Sequence, residues 1–144
     1  MSRAGALNTI DSLLAGVTGP TFAAVYRGEP LSIPTTPIAA FWISQHNELF
    51  ETFGDASTTA VFTIRCYWRQ QLSPDVRESI EDEIWDAAVN IKTALRGDSN
   101  LSSNCTDSRP GNAVIDIEVM GGQPFRTLTI PFEVEIYGEE TITP

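Results

Sequence analysis

The sequence predicts an α+β fold: a mixed, mostly antiparallel sheet of about four to five strands with two helices packed on one face. Residues 58–69, 112–120 and 125–137 alternate apolar with polar side chains, as half-buried strands do. Residues 6–17 and 73–96 instead repeat apolar side chains every three or four positions, as amphipathic helices do. Because the second helix separates two runs of strands, the order favours helices on a sheet over alternating βαβ units.

An amphipathic helix is predicted to open the chain. Its apolar residues are Leu7, Ile10, Leu13, Leu14 and Val17. The dipeptide Gly19-Pro20 supplies the stop. Residues 21–27 are short and rich in Phe, Val and Tyr, so they predict a first strand that ends in a turn at residues 28–30.

The next three segments predict a strand, a tip and another strand. Residues 38–44 are apolar on both alternating faces, so this strand is either central in the sheet or covered by another molecule. Residues 45–57 are polar with Phe50 and Phe53 embedded, which predicts a loop or a long hairpin tip. Residues 58–69 have one apolar face, which we expect to be core. That face consists of Ala60, Phe62, Ile64, Cys66 and Trp68.

The longest element is a helix with clear end signals. Ser73 suits the N-cap, Pro74 suits the first helical position, and Gly97 suits the C′ position. Its apolar stripe comprises Val76, Ile80, Ile84, Ala87, Ala88, Ile91 and Leu95. Such a stripe predicts packing along the whole helix.

The last third of the chain predicts a long loop at residues 98–111 and then two strands joined by a turn at Gly121-Gly122. The inward faces are predicted to be Ala113, Ile115, Ile117 and Val119, then Leu128, Ile130, Phe132, Val134 and Ile136. The outward faces carry Asp116 and Glu118, then Glu133 and Glu135.

Length and composition fit one folded domain over residues 1–144, with residues 138–144 as a flexible tail. Hydrophobic residues make up 42% and charged residues 19%, which is too apolar for a disordered chain. Cys66 and Cys105 match no metal or disulfide spacing, so we expect two free thiols in a reducing cytoplasm. The sequence shows no signal peptide and no apolar run long enough for a bilayer, which predicts a soluble, cytoplasmic protein without a membrane partner.

The charge balance and the residue spacing argue against nucleic-acid binding and catalysis. Nine basic residues face nineteen acidic ones, a formal net charge of -10, whereas tight DNA binding needs basic side chains on the phosphates. His46, the sole histidine, has no nucleophile elbow near it and is read as a loop residue. The carboxylates of the long helix fall mainly opposite its apolar stripe: Glu78, Glu81, Asp82, Glu83 and Asp86. We therefore expect no catalytic residue, no metal and no cofactor.

What remains is surface that asks for a cover. The doubly apolar strand, the phenylalanines after it and a tryptophan on the long helix all predict contacts with other subunits. Two arginines on the outward side of residues 58–69 would pair with acidic residues of an adjacent strand or subunit. The candidate interface residues are Phe41, Ile43, Phe50, Phe53, Arg65, Arg69 and Trp85.

The order of elements resembles the tail terminator family of siphophages over nearly the whole chain. The features that carry the resemblance are the opening helix, the strand at residues 60–67 (AVFTIRCY), the second helix ending in ALRG at residues 94–97, and the closing hairpin. The resemblance implies a six-fold ring that caps the tail tube and docks onto the head connector or stopper protein. It implies a virion protein assembled in the host cytoplasm, with no catalytic residues.

In such a ring, Asp116, Glu118, Glu133 and Glu135 are predicted to line the lumen, where negative charge lets DNA pass without specific binding. Two alternatives stay open. One is another neck component, such as a head completion or stopper protein. The other is a small α+β module that binds a ligand, which would require polar groups converging in an apolar pocket.

Overall fold

The structure is a computed structural model that describes residues 3–50, 56–70 and 73–137. The elements are α1 (Arg3–Ala15), β1 (Ala24–Arg27), β2 (Ile38–Phe50), β3 (Ala56–Arg69), α2 (Pro74–Arg96), β4 (Asp107–Pro110), β5 (Val114–Met120) and β6 (Gln123–Tyr137). The strands of this described part form one six-stranded sheet in the order β1-β2-β3-β6-β4, with β5 also beside β6. β1 runs parallel to β2, and the other pairs are antiparallel. The predicted α+β class is therefore confirmed.

The main core lies between the two helices and one face of the sheet. α1 buries Ala6, Ile10 and Leu14 against it. α2 buries Ile80, Ile84, Ala87, Ile91 and Leu95. From β3 the predicted inward face is buried in full, and Trp68 meets Phe22 edge to face at 6.4 Å between ring centroids. The alternation in residues 58–69 thus identified the core side of β3 correctly.

The ends of α2 match the sequence signals at one end and differ at the other. Ser73 has extended backbone angles at the N-cap, and Pro74 begins the helix. Gly97, however, has φ −71° and ψ −14°, so it continues the right-handed geometry and does not take the left-handed C′ conformation. The left-handed residues come later, at 101–103. There the buried Leu101 side chain and hydrogen bonds from the neighbouring turn hold the backbone.

The predicted loop over residues 45–57 is largely wrong, because β2 continues to Phe50 and β3 already begins at Ala56. The two strands stay paired as far as Phe50 opposite Ala56, with a register shift between Ile43 and Gln45. Residues 45–47 are exposed on both faces. A strand with neither face covered shows no apolar alternation, and this explains why the sequence pattern indicated a loop.

The predicted loop over residues 98–111 is also partly wrong. Its last four residues form β4, which pairs with residues 132–135 of β6. The preceding turn packs against the domain: Cys105 is buried, and the Ser108 hydroxyl donates to the Ser99 carbonyl at 2.8 Å. β4 is the strand that raises the count above the four to five expected.

The doubly apolar strand is covered on both faces within the chain. Phe41 and Ala39 lie in the main core, 1% and 0% exposed. On the opposite face, residues around 33 cross the sheet and close a second, smaller cluster. Its buried members are Ile33, Ile38, Ala40, Tyr67 and Phe125. Of the two readings, a strand inside the sheet is therefore the correct one for residues 38–41.

β5 departs most from expectation. The register places Ile115 opposite the buried Leu128 and Ile117 opposite Arg126, so both lie on the helix side as predicted. Yet Ile115, Ile117 and Val119 are 45%, 53% and 66% exposed. A sheet five strands across spans roughly 24 Å at about 4.8 Å per strand, whereas two adjacent helices cover about 20 Å. The helices thus do not reach this edge.

We expect the free energy of unfolding to fall by about 2–5 kcal/mol in Ile84→Ala, because this side chain is 1% exposed between α2 and the sheet and its removal leaves a cavity. Val89→Ala, on the same helix but 53% exposed, is the matched control and should change it by no more than about 0.5 kcal/mol. Urea denaturation measures both. Equal losses would contradict this placement of α2.

Candidate functional site

The structure divides the predicted interface residues between core and surface. Phe41 is core, so it leaves the candidate interface. Ile43, one turn of the pleat further on, is 52% exposed although it lies opposite the buried Phe62. Trp85 on α2 is 72% exposed. The side chain of Phe50 and the whole of Phe53 lie outside the described part of the chain.

An apolar surface, here called the edge patch, lies where α2 meets β5 and consists of Trp85, Ile115, Ile117 and Val119. Arg126 of β6 fixes its geometry: its Nε and Nη2 each donate to Glu81 of α2 at 2.9 Å. Arg126 is also the cross-strand partner of Ile117. Since Trp85 follows Glu81 by one helical turn, it lies on the side of α2 that faces β5.

The sequence did not reveal this surface. Its alternation assigned the β5 residues to the core, and it singled out Trp85 without a neighbour. Only the width of the helical layer, which no periodicity reports, leaves them uncovered together. An exposed apolar cluster next to a bidentate ion pair is typical of an interaction surface.

Arg65 anchors three neighbouring strands on the opposite face. Its Nε donates to the Thr129 hydroxyl at 2.9 Å, and its Nη1 lies 3.3 Å from Glu118 Oε2. Its guanidinium carbon is 5.3 Å from the centre of the Trp42 ring, within cation–π range. The pairing of Arg65 with an acidic residue is therefore made inside the chain, on an adjacent strand.

Arg69 holds the crossing segment. Its Nη2 donates to the carbonyls of Ile33 and Pro34, at 3.2 and 3.4 Å. Those bonds keep the second cluster covered by the segment that precedes β2. Arg69 thus positions a loop of its own chain.

The four predicted lumen residues share one face of the sheet, the one away from the helices, here called the acidic face. Asp116 is opposite Thr127, and Glu133 and Glu135 are opposite Val61 and Thr59, all on that side by register. Two of the charges have partners: Glu118 binds Arg65, and Glu133 lies 4.0 Å from Arg109 Nε. Asp116 and Glu133 are exposed to solvent.

The groups with reactive potential are not arranged for chemistry. His46 lies on strand β2, not in a loop, and is exposed opposite Ala60. Burial raises the pKa of the Cys66 thiol far above its usual range. Burial, with Asp107 nearby, raises the pKa of Cys105 to about 11. In residues 3–50, 56–70 and 73–137, no three His, Cys, Asp or Glu side chains are grouped so that they could hold a metal ion.

The Gly121-Gly122 dipeptide is the hairpin turn that the sequence predicted. Its φ angles are 60° and 79°, the left-handed values that a two-residue hairpin turn needs at both positions. A cavity of about 280 Å³ opens between α1 and the turn after α2, lined by Asn8, Thr9, Ser12, Leu13, Asp98 and Ser102. Its carboxylate already accepts bonds from the Ser102 backbone and hydroxyl.

Comparison with known proteins gives one structural likeness. No family model matches the chain, and no curated protein matches it. Among solved structures, a chain described as "Virion of native gene transfer agent (GTA) particle" is similar over 94% of this chain and 93% of that chain, at 13% identity and a TM-score of 0.41. A likeness at this level carries no argument about the present chain. None of the described helices has the length and apolar character to cross a membrane.

Both thiols should be inert to a disulfide reagent such as DTNB at neutral pH. A raised pKa keeps them protonated, and the thiolate is the reactive form. Denaturation should expose two reactive thiols per chain. Fast labelling of the native protein at neutral pH would contradict the buried positions.

Proposed function

We propose that the chain is a structural virion protein that forms a ring, caps the phage tail tube and joins it to the head connector. The edge patch is the observation that carries this proposal. A monomer that leaves a tryptophan and three β-branched side chains exposed side by side gains hydrophobic free energy by covering them in an assembly.

The polar groups support assembly over catalysis. The arginines on the acidic face bind their own chain, and both cysteines are buried and protonated at neutral pH. The open cavity near α1 brings together groups that already bond one another. Active sites tend to gather perturbed groups in a cleft, and no such gathering occurs among the described residues.

The acidic face suits a lumen through which DNA passes. Phosphates gain affinity by exchanging their counterions for basic side chains, and a surface rich in carboxylates offers none for this exchange. The net charge of -10 has the same sign. In the proposed ring, Asp116, Glu118, Glu133 and Glu135 face the channel, and copies of the chain, probably six by the family resemblance, contact the tube protein on one side and the connector or stopper on the other.

Light scattering coupled to gel filtration should record a species of about six times the 15.7 kDa chain mass, alone or after addition of tail tubes. Electron micrographs should show capped tube ends. Trp85→Ala should weaken the assembly without unfolding the monomer, because central aromatic residues dominate interfaces.

Leu31→Ala is the control for this substitution, because Leu31 is also apolar and is 96% exposed away from the edge patch. It should leave the ring intact. A strict monomer that fails to cap tubes would overturn the proposal. Capping of the portal side instead would identify another neck component.

Charge reversal tests the lumen. Particles carrying Asp116→Lys, Glu133→Lys and Glu135→Lys should retain DNA after ejection is triggered, and rising salt should release it. The control reverses Glu78, Asp82 and Asp86, three exposed acids of α2. It changes the net charge equally but should eject DNA normally, so identical behaviour of the two variants would show that the acidic face does not line the channel.

A further inference from the structure

The sheet has two edges with unpaired backbone. At one edge, β5 pairs with β6 and with no other strand of the described chain. At the other, β1 covers the first four of the 13 residues of β2, at 38–41, and the rest of β2 pairs only with β3 in the part of the chain that the structure describes. The uncovered stretch of β2 is longer than the seven residues of β5. Either edge can therefore accept a strand.

The two edges have matching apolar character. On the helix side, β5 exposes Ile115, Ile117 and Val119, and the free part of β2 exposes Ile43. These side chains lie on the same face of one sheet. Joining a β5 edge to a β2 edge would therefore bring exposed apolar side chains together and, beside them, Trp85.

The β5 edge also carries a donor aimed outward. The backbone N–H of Ile117 donates to the Asp116 carboxylate at 2.8 Å and so points away from β6. In the monomer the carboxylate satisfies this N–H, which is one way that edge strands are kept from pairing at random. An incoming strand can supply a carbonyl in its place.

Charge decides which edges meet. Pairing two β5 edges about a two-fold axis would set the Asp116 and Glu118 of one copy near those of the other, and like charges across strands destabilise a sheet. The free stretch of β2 at residues 42–47 contains no carboxylate, and its sole titratable side chain is His46. Electrostatics thus favours β5 against β2.

We infer that the β5 edge of one copy pairs with the free part of β2 of a second copy, so that the sheets join head to tail. This inference rests on the proposed ring and names the surfaces that close it. The contact is heterologous, and a rotation that closes it produces a ring, not a two-fold dimer. It places the acidic faces of all copies on one side of the continuous sheet and the helices on the other.

Cross-linking tests the pairing directly. Cysteines are placed at both edges in the double variant His46→Cys/Ile117→Cys, and a short bis-maleimide is added under conditions in which light scattering records assemblies. The native thiols are buried and provide no background. A ladder of covalent oligomers is expected on a denaturing gel, rising to the number of subunits in the ring.

Three controls define the result. Each single variant alone should give no covalent oligomer, and the mixed single variants should stop at dimers. The pair His46→Cys/Asp86→Cys, with its second cysteine on the exposed face of α2, should give no ladder. Dimers from Ile117→Cys alone would show two β5 edges together and overturn the inference.

The outcomes separate this inference from the proposed function. Rings that assemble and cap tubes without any ladder would overturn the edge pairing and leave the proposed function standing. A chain that neither assembles nor cross-links at any concentration, with or without tubes, would overturn both. A ladder supports the pairing, whatever the final number of subunits.

Proline at the edge provides a second variant. Ile117→Pro removes the outward N–H and leaves the bonds from β5 to β6 in place, so the monomer should stay folded by circular dichroism while the ring is lost. Ile117→Val keeps the donor and the apolar side chain and should still form rings. Rings formed by folded Ile117→Pro protein would contradict the pairing, and if that variant unfolds the cross-linking result alone decides.

Discussion

The covering of the sheet by its helices is the constraint on which the rest of this structure depends. Two helices bury one face of β2, β3 and β6, where nearly every inward side chain is inaccessible. They do not extend over β5 or over the far ends of the β2–β3 hairpin. The same limit produces both a stable core and an uncovered apolar edge, so the surface available for association follows directly from how the domain is held together.

Ion pairs fix the sheet at the boundaries of this covered region. Arg126 ties α2 to the edge through Glu81, and Arg65 ties β3 to β5 through Glu118, with Thr129 of β6 between them. Both pairs are partly exposed, so each contributes modestly to stability. Their larger effect is positional, because they hold the edge patch and the acidic face in one register.

The two faces of the sheet consequently have different chemistry. One is apolar and incompletely covered, and the other carries carboxylates with a few arginines that are bound within the chain. An arrangement of this kind suits a building block that associates through one edge and presents negative charge on one side. It does not bring a nucleophile, a base and a binding cleft together among the described residues, and the proposed ring uses the features that are present.

The sequence by itself determined the class of the fold, the core face of β3, the stripe and start of α2 and the turn at Gly121-Gly122, because periodicity and turn chemistry are local properties of the backbone. It also placed Ile115 and Ile117 on the correct side of the sheet. Only the tertiary structure decided that these side chains are exposed, that Phe41 is buried, and that His46 lies on a strand. Burial depends on how far a neighbouring layer extends, and that distance is set by elements remote in the chain, which alternation along a single strand does not report.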